Sequence, residues 1–203
     1  MKHEISPDLS PVRLEAAVDK QDAQHLVLRY TLTNPLAQRI YLFAPPLRFG
    51  PHAEPEPLED SAWVFHEGDH GVRLVRALLR PPMWIKVAGL PTAIIPVEPG
   101  ASYTGRIVLS LPLAESRPYM PPEQDAGELY SVHQARLQMG WVEARDSMEF
   151  FPYPLSNGTM LLTFDSNWGR PRQRVAEVVL PLAGVSLRRH HDSLVERPAV
   201  PTQ

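Results

Sequence analysis

The residues with the plainest chemical potential are His66-Glu67-Gly68-Asp69-His70, which match H-E-x-x-H letter for letter. On a helix that spacing puts both imidazoles on one face to ligate zinc, with the glutamate acting on the bound water. A metal-dependent hydrolase is therefore one class to weigh. The context argues against it. Gly68 and Gly71 each disfavour a helix by roughly 1 kcal/mol relative to alanine. The flanks Trp63-Val64-Phe65 and Val72-Arg73-Leu74 read as strands, and no helical segment downstream offers a third ligand. The expectation is a polar hairpin tip, with no metal site and no cofactor.

A second candidate is Asp165-Ser-Asn-Trp168-Gly-Arg170-Pro-Arg172-Gln-Arg174, a tryptophan beside three arginines. That composition is enriched at binding hot spots and also suits stacking on a base or a sugar. Placed at the tip of a last hairpin, Trp168, Arg170, Arg172 and Arg174 would form a contact surface. In the alternative reading Trp168 folds back as a cover and the arginine stems lie over apolar surface. Phe150-Phe151-Pro152-Tyr153-Pro154 reads either as a docking surface nearby, through Phe151 and Tyr153, or as a plug over one end of the core, and the plug is favoured because clustered exposed aromatics are a liability. Pro118-Tyr119-Met120-Pro121-Pro122 invites the same two readings. His190-His191 beside Arg188-Arg189 reads as part of a flexible tail over 188–203, and Asn157-Gly158-Thr159 as a tight turn.

Catalytic constellations are poor. There is no G-x-S-x-G elbow, no glycine-rich phosphate loop and no framed carboxylate pair. Nothing in the spacing of serine, histidine and aspartate singles out a nucleophile and its base, so a non-enzyme is expected.

The elements that must hold these residues are strands. Leu26, Leu28, Tyr30 and Leu32 share one face and Val27, Arg29, Thr31 and Thr33 the other, a period of two that no helix can use. Asn34-Pro35 closes that strand, and Ile40 and Leu42 open the next. Val12, Leu14 and Ala16 make a first strand ending at Asp19-Lys20-Gln21-Asp22. Ala62–His66 and Val72–Leu79 form a hairpin around Glu67-Gly68-Asp69-His70-Gly71. After the Pro99-Gly100 turn, Tyr103, Gly105, Ile107, Leu109 and Leu111 point inward. Leu137, Met139 and Trp141 repeat the pattern, so Glu128–Gln138 is not a helix. Met160–Phe164 and Val175–Leu180 would make a last hairpin, and Thr92–Val97, held between prolines, an edge strand. Nine or ten strands are expected, with loops at Pro45–Ser61, Ala114–Gly127 and Arg145–Gly158.

The 203 residues suit one domain spanning 1–203, with an ordered core over about 12–187. The 23 prolines, about twice the usual share, punctuate loops and strand ends. A net charge of −3 supplies no field for nucleic acid or anionic lipid. With no cysteine there is no disulfide, thiolate chemistry or Cys-type zinc site. No apolar run approaches the ~20 residues of a membrane span, and Met1–Pro11 is no signal peptide, so a cytoplasmic location is expected, or a periplasmic one if a leader was removed.

Leu-Arg-Tyr-Thr-Leu-Thr-Asn-Pro followed by Ile-Tyr-Leu-Phe, within His25–Phe43, resembles the B and C strands of bacterial immunoglobulin-like modules. Val97-Glu98-Pro99-Gly100-Ala101 is similar to their central turn. The small intracellular proteinase inhibitors of bacilli share the pattern in shorter chains. The resemblance covers about two fifths of the chain and implies an immunoglobulin-like sandwich; with the strands and loops read above, the expected fold is an all-β, immunoglobulin-like antiparallel sandwich with long proline-rich loops. Fold does not fix function; from the candidate loops and the lack of a catalytic constellation the expected function is a non-catalytic binding module for a protein partner, with a protease inhibitor and the His66/His70 hydrolase as the alternatives. Neither the partner nor the oligomeric state can be read from the residues.

Overall fold

The computed structural model describes residues 10–43, 47–49, 55–57, 61–79, 91–116, 127–145, 148, 150–154, 160–165 and 172–189. Apart from a single turn of 3₁₀ helix at Arg172, its regular structure is all strand. Arg13–Gln21 (β1), His25–Thr33 (β2) and Ser102–Ser110 (β9) form an antiparallel three-stranded sheet in the order β1-β2-β9. The expected inward residues of β2, Leu26, Leu28, Tyr30 and Leu32, are all buried. The first strand runs further than expected, through Asp19-Lys20-Gln21, with an irregularity between Val18 and Lys20. The turn falls instead at Asp22, whose carboxylate accepts from the Gln24 and His25 amides at 2.8 and 2.7 Å.

The second sheet is larger. It contains Ile40–Phe43 (β3), Trp63–Glu67 (β6), Gly71–Arg76 (β7), Pro91–Val97 (β8), Leu113–Ala114 (β10), Leu129–Glu143 (β11), Phe151–Pro154 (β12), Met160–Asp165 (β13) and Arg174–Arg188 (β14). A small hairpin of Leu47–Phe49 (β4) and Pro55–Pro57 (β5) interrupts the expected 45–61 loop. The larger sheet is mixed, because β7 runs parallel to β11 and β10 parallel to β14, so a wholly antiparallel arrangement does not hold. Both sheets contribute to one core, in which Leu28 and Ile107 of the first meet Leu74, Leu137 and Trp141 of the second. Each such fully buried side chain stabilises the fold by about 1.5–3 kcal/mol.

The larger sheet forks at β11. Gln134–Met139 pairs with β7, and immediately beyond, Trp141–Glu143 pairs with β3 on the same edge. Gly140 stands at the junction because nothing larger fits: a Cβ there would lie 2.5 Å from Gln173 Oε1 and 2.6 Å from Phe43. The buried Gln173 amide seals the gap, accepting from the Leu78 N–H at 2.7 Å and donating to the Leu78 carbonyl at 3.2 Å. The side chain thus substitutes for a strand where the ladder divides.

Two expectations about pairing are corrected. Met160–Asp165 and Arg174–Arg188 are strands but not a hairpin: β13 pairs with β8 and β12, whereas β14 pairs with β11 and β10. The 15-residue β14 finds its match in the 15-residue β11 rather than in its six-residue sequence neighbour. Pro91–Val97 is not an edge strand either, since it lies between β3 and β13. Its prolines are tolerated because the two pairings are staggered. β13 covers only Pro91–Ala93, so Pro96 has a neighbour on the β3 side alone.

The continuous apolar run Ile40-Tyr41-Leu42-Phe43 is buried on both faces. Ile40 and Leu42 enter the shared core, while Tyr41 and Phe43 pack outward with Leu78, Ile94 and Val142. Met148 and Phe150 lie against this second cluster.

Candidate functional site

The H-E-x-x-H segment is a hairpin. Glu67 pairs with Gly71 across the turn, and Gly68 takes the left-handed backbone (φ 60°) that glycine adopts without strain. His66 is half-buried with its ring 5.7 Å from that of Tyr130, and its amide donates to Glu115 Oε1 at 3.2 Å. His70 is exposed, and its neighbour is His133, 5.9 Å away between ring centroids. Glu67 accepts from Arg136 Nε at 3.0 Å. The three side chains that zinc hydrolysis would need together are therefore each engaged with a different residue of β11 or its surroundings. Among the described residues, no group of three or more histidine, cysteine, aspartate or glutamate side chains is placed to hold a metal.

Around Arg136 the strands assemble a polar face. Its Nη1 donates to Glu177 at 2.9 Å, and Glu177 also accepts from Gln138 at 3.1 Å. The hydrogen bond to Glu67, opposed by partial burial, holds the Arg136 guanidinium above its ordinary range. Arg73, opposite Arg136 in register, lies over the Phe65 ring at 5.5 Å. Sequence reading missed this network because Arg136 meets partners 69 and 41 positions away. The available signal was the polar set Arg136 and Gln138 on alternate positions of β11.

Of the residues expected to form the contact surface, Trp168 and Arg170 lie outside the described residues, as do Pro118–Pro122, Asn157–Thr159 and His190–His191. The Asp165–Arg174 segment is not a hairpin tip, since the strands it joins do not pair with each other. Arg172 is exposed on the turn before β14. Arg174 is tied into the body: it pairs with Glu143 at 3.1 Å and lies over the buried Trp141 ring at 5.4 Å. Phe151 and Tyr153 sit on β12, at the far end of the sheet order from β14, with β11, β3, β8 and β13 between. Arg174 and the two aromatics are thus on strands well separated in the sheet order, not side by side.

Within 150–154 the two readings divide between residues. Phe150 is half-buried and packs on Tyr41 at 4.8 Å, as a plug would. Phe151 is 53% exposed. No family model, curated protein or solved structure matches this chain. Its function is therefore argued from geometry.

The backbone of β12 limits how that edge can be used. An antiparallel ladder with β13 needs N–H donors, which Phe151 and Tyr153 have and Pro152 and Pro154 lack. The prolines are accommodated in that ladder at positions that owe β13 no donor, which leaves the edge of β12 that no described strand covers without N–H groups at Pro152 and Pro154. Strand addition is disfavoured there, and contact through side chains is left.

Proposed function

We propose that this chain is a non-catalytic binding module, built on an immunoglobulin-like pair of sheets, whose partner is a protein. The observation supporting this is Phe151: among the described residues it is the one aromatic among the exposed large apolar side chains, beside an anchored Phe150 and on an edge closed to strand addition. An exposed aromatic held by a rigid frame is the typical centre of a protein contact. A net charge of −3 favours neither nucleic acid nor an anionic membrane as the target. Among the described residues no helix is long and apolar enough to cross a membrane.

The test places a photo-crosslinking amino acid at position 151 and, as controls, at the exposed Leu129 and Val179. The expected result is one discrete adduct from position 151 that a Phe151→Ala competitor fails to suppress and the wild-type chain suppresses. Equal labelling from all three positions would sink the reading. Titration against a panel of proteases separates the inhibitor alternative, which requires stoichiometric loss of protease activity.

A further inference from the structure

The histidine that H-E-x-x-H assigns to His66 is instead supplied to His70 by a strand 63 positions along the chain. The ring centroids of His70 and His133 stand 5.9 Å apart at an interplanar angle of 63°, and both residues are exposed. Their backbones are held together. The His133 amide donates to the His70 carbonyl at 2.8 Å, and the next residue, Gln134, is in register with Gly71. His133 also lies at the irregularity of β11 between Val132 and Gln134, which re-aims a side chain that regular pleating would send elsewhere. Both backbones are thus fixed before any ligand arrives.

We propose that His70 and His133 form a two-histidine site for a divalent transition metal of the imidazole-binding class, such as zinc, nickel or copper, with water completing the coordination. Imidazole is the side chain these ions share as a preferred ligand. Ser131 supplies an outer partner, its hydroxyl 3.4 Å from His133 Nε2. A hydroxyl that holds one ring nitrogen orients the other for the metal. Gly184 faces the same ring, where even an added Cβ would be in ordinary contact at 3.6 Å, so the ring is not wedged shut. Two protein ligands and open water positions describe an exchangeable site, unlike the closed four-ligand sites that serve structure.

The experiment uses the full chain in a His190→Ala/His191→Ala background, which removes another histidine pair from the readout. Zinc or nickel binding is followed by calorimetry, and the thermal midpoint is measured with and without metal. Because the two ligands meet only in the folded chain, bound metal raises the midpoint. His70→Ala and His133→Ala are each expected to weaken binding by at least about tenfold and to abolish the metal-induced shift, whereas His66→Ala leaves both in place. Paramagnetic copper should broaden the amide signals of residues 70, 131 and 133 first. No binding up to about 1 mM metal, or binding that survives both single substitutions, overturns the proposal. Broadening centred on His66 overturns it equally.

Discussion

Arg76 on β7 donates through Nη1 to the phenol of Tyr30 on β2 at 2.8 Å, across the interior between the two sheets. The same guanidinium reaches the Ser61 carbonyl at 2.6 Å and the Arg106 carbonyl on β9 at 2.9 Å, and lies over the Tyr30 ring at 5.4 Å. Arg76 is 3% exposed and Tyr30 1%, so this is a buried charge of the larger sheet satisfied by two oxygens of the three-stranded sheet and one from the segment leading into β6. Burial pushes the Tyr30 phenol up to about 12.

Removing the guanidinium should cost much more than removing the phenol hydroxyl. Arg76→Ala takes the partner from the buried Tyr30 hydroxyl and from two part-buried carbonyls and opens a cavity, with an expected loss of about 3–5 kcal/mol. Tyr30→Phe leaves Arg76 its carbonyl partners and should cost about 1–2 kcal/mol. Urea denaturation of both single variants and the double variant checks this. A double variant whose loss equals the sum of the singles would show that the two side chains do not couple.

At the fork of the larger sheet, Gly140→Ala drives a methyl into Gln173 and Phe43 and should destabilise by about 1–3 kcal/mol or more. Gln173→Leu removes the clash partner but strands the Leu78 N–H and carbonyl, at about 1–3 kcal/mol for each orphaned group. Thermal unfolding of both variants measures the two costs. A Gly140→Ala chain as stable as the parent would mean that the junction is looser than its contacts indicate.

Restoring donors to the free edge of β12 should make the protein self-associate. A Pro152→Thr/Pro154→Thr chain keeps the ladder to β13 and gains outward N–H groups, turning a blocked edge into a template for another strand. Light scattering should report concentration-dependent assembly in the variant and none in the parent. A variant that stays monomeric would show that something other than the prolines guards this edge.

The turn after β1 carries an acid dependence. Asp22 sits 2.6 Å from Lys20 and accepts from the Gln24 and His25 amides. Lys20 first, then those amides, hold its carboxyl well below the usual carboxylate range. A depressed folded-state value means the contribution is complete above the unfolded value of about 4 and disappears as pH falls below it. The stability difference between the parent and Asp22→Ala should be constant from neutrality to about pH 5 and shrink progressively below about pH 4. A difference independent of pH down to 2 would show that the charge contributes nothing.

Local pattern made the strands legible and left their partners hidden. Leu26, Leu28, Tyr30 and Leu32 announce a buried face because burial on one side imposes a period of two. Pro99-Gly100 announces its turn because Gly100 needs positive φ (71°). Nothing comparable in Val175–Leu180 reveals that it belongs with β11, since pairing depends on length and register found elsewhere in the chain. The prolines around Thr92–Val97 pointed to an edge, and only the staggered coverage by β3 and β13 shows how a central strand carries them. Tyr41 and Phe43 gave a clearer hint, as a strand apolar at every position is covered on both faces. The meeting of His70 with His133 was hidden for the same reason as the β11–β14 pairing: it is a product of topology, not of spacing.

The separation of β2 and β3 sets a pace as well as a shape. These neighbours in the chain end in different sheets, β2 beside β9 and β3 beside β11, some 70 to 100 residues further on. β2 can pair early with β1, but its other edge and both ladders of β3 wait until distant segments have been synthesised and brought close. Closing such loops costs entropy before any contact rewards it, and chains dominated by non-local pairing fold in about milliseconds to seconds rather than microseconds. During that interval the apolar runs of β2, β3 and β8 are uncovered together, so this protein meets its greatest risk of aggregation while it is being made rather than after it has folded.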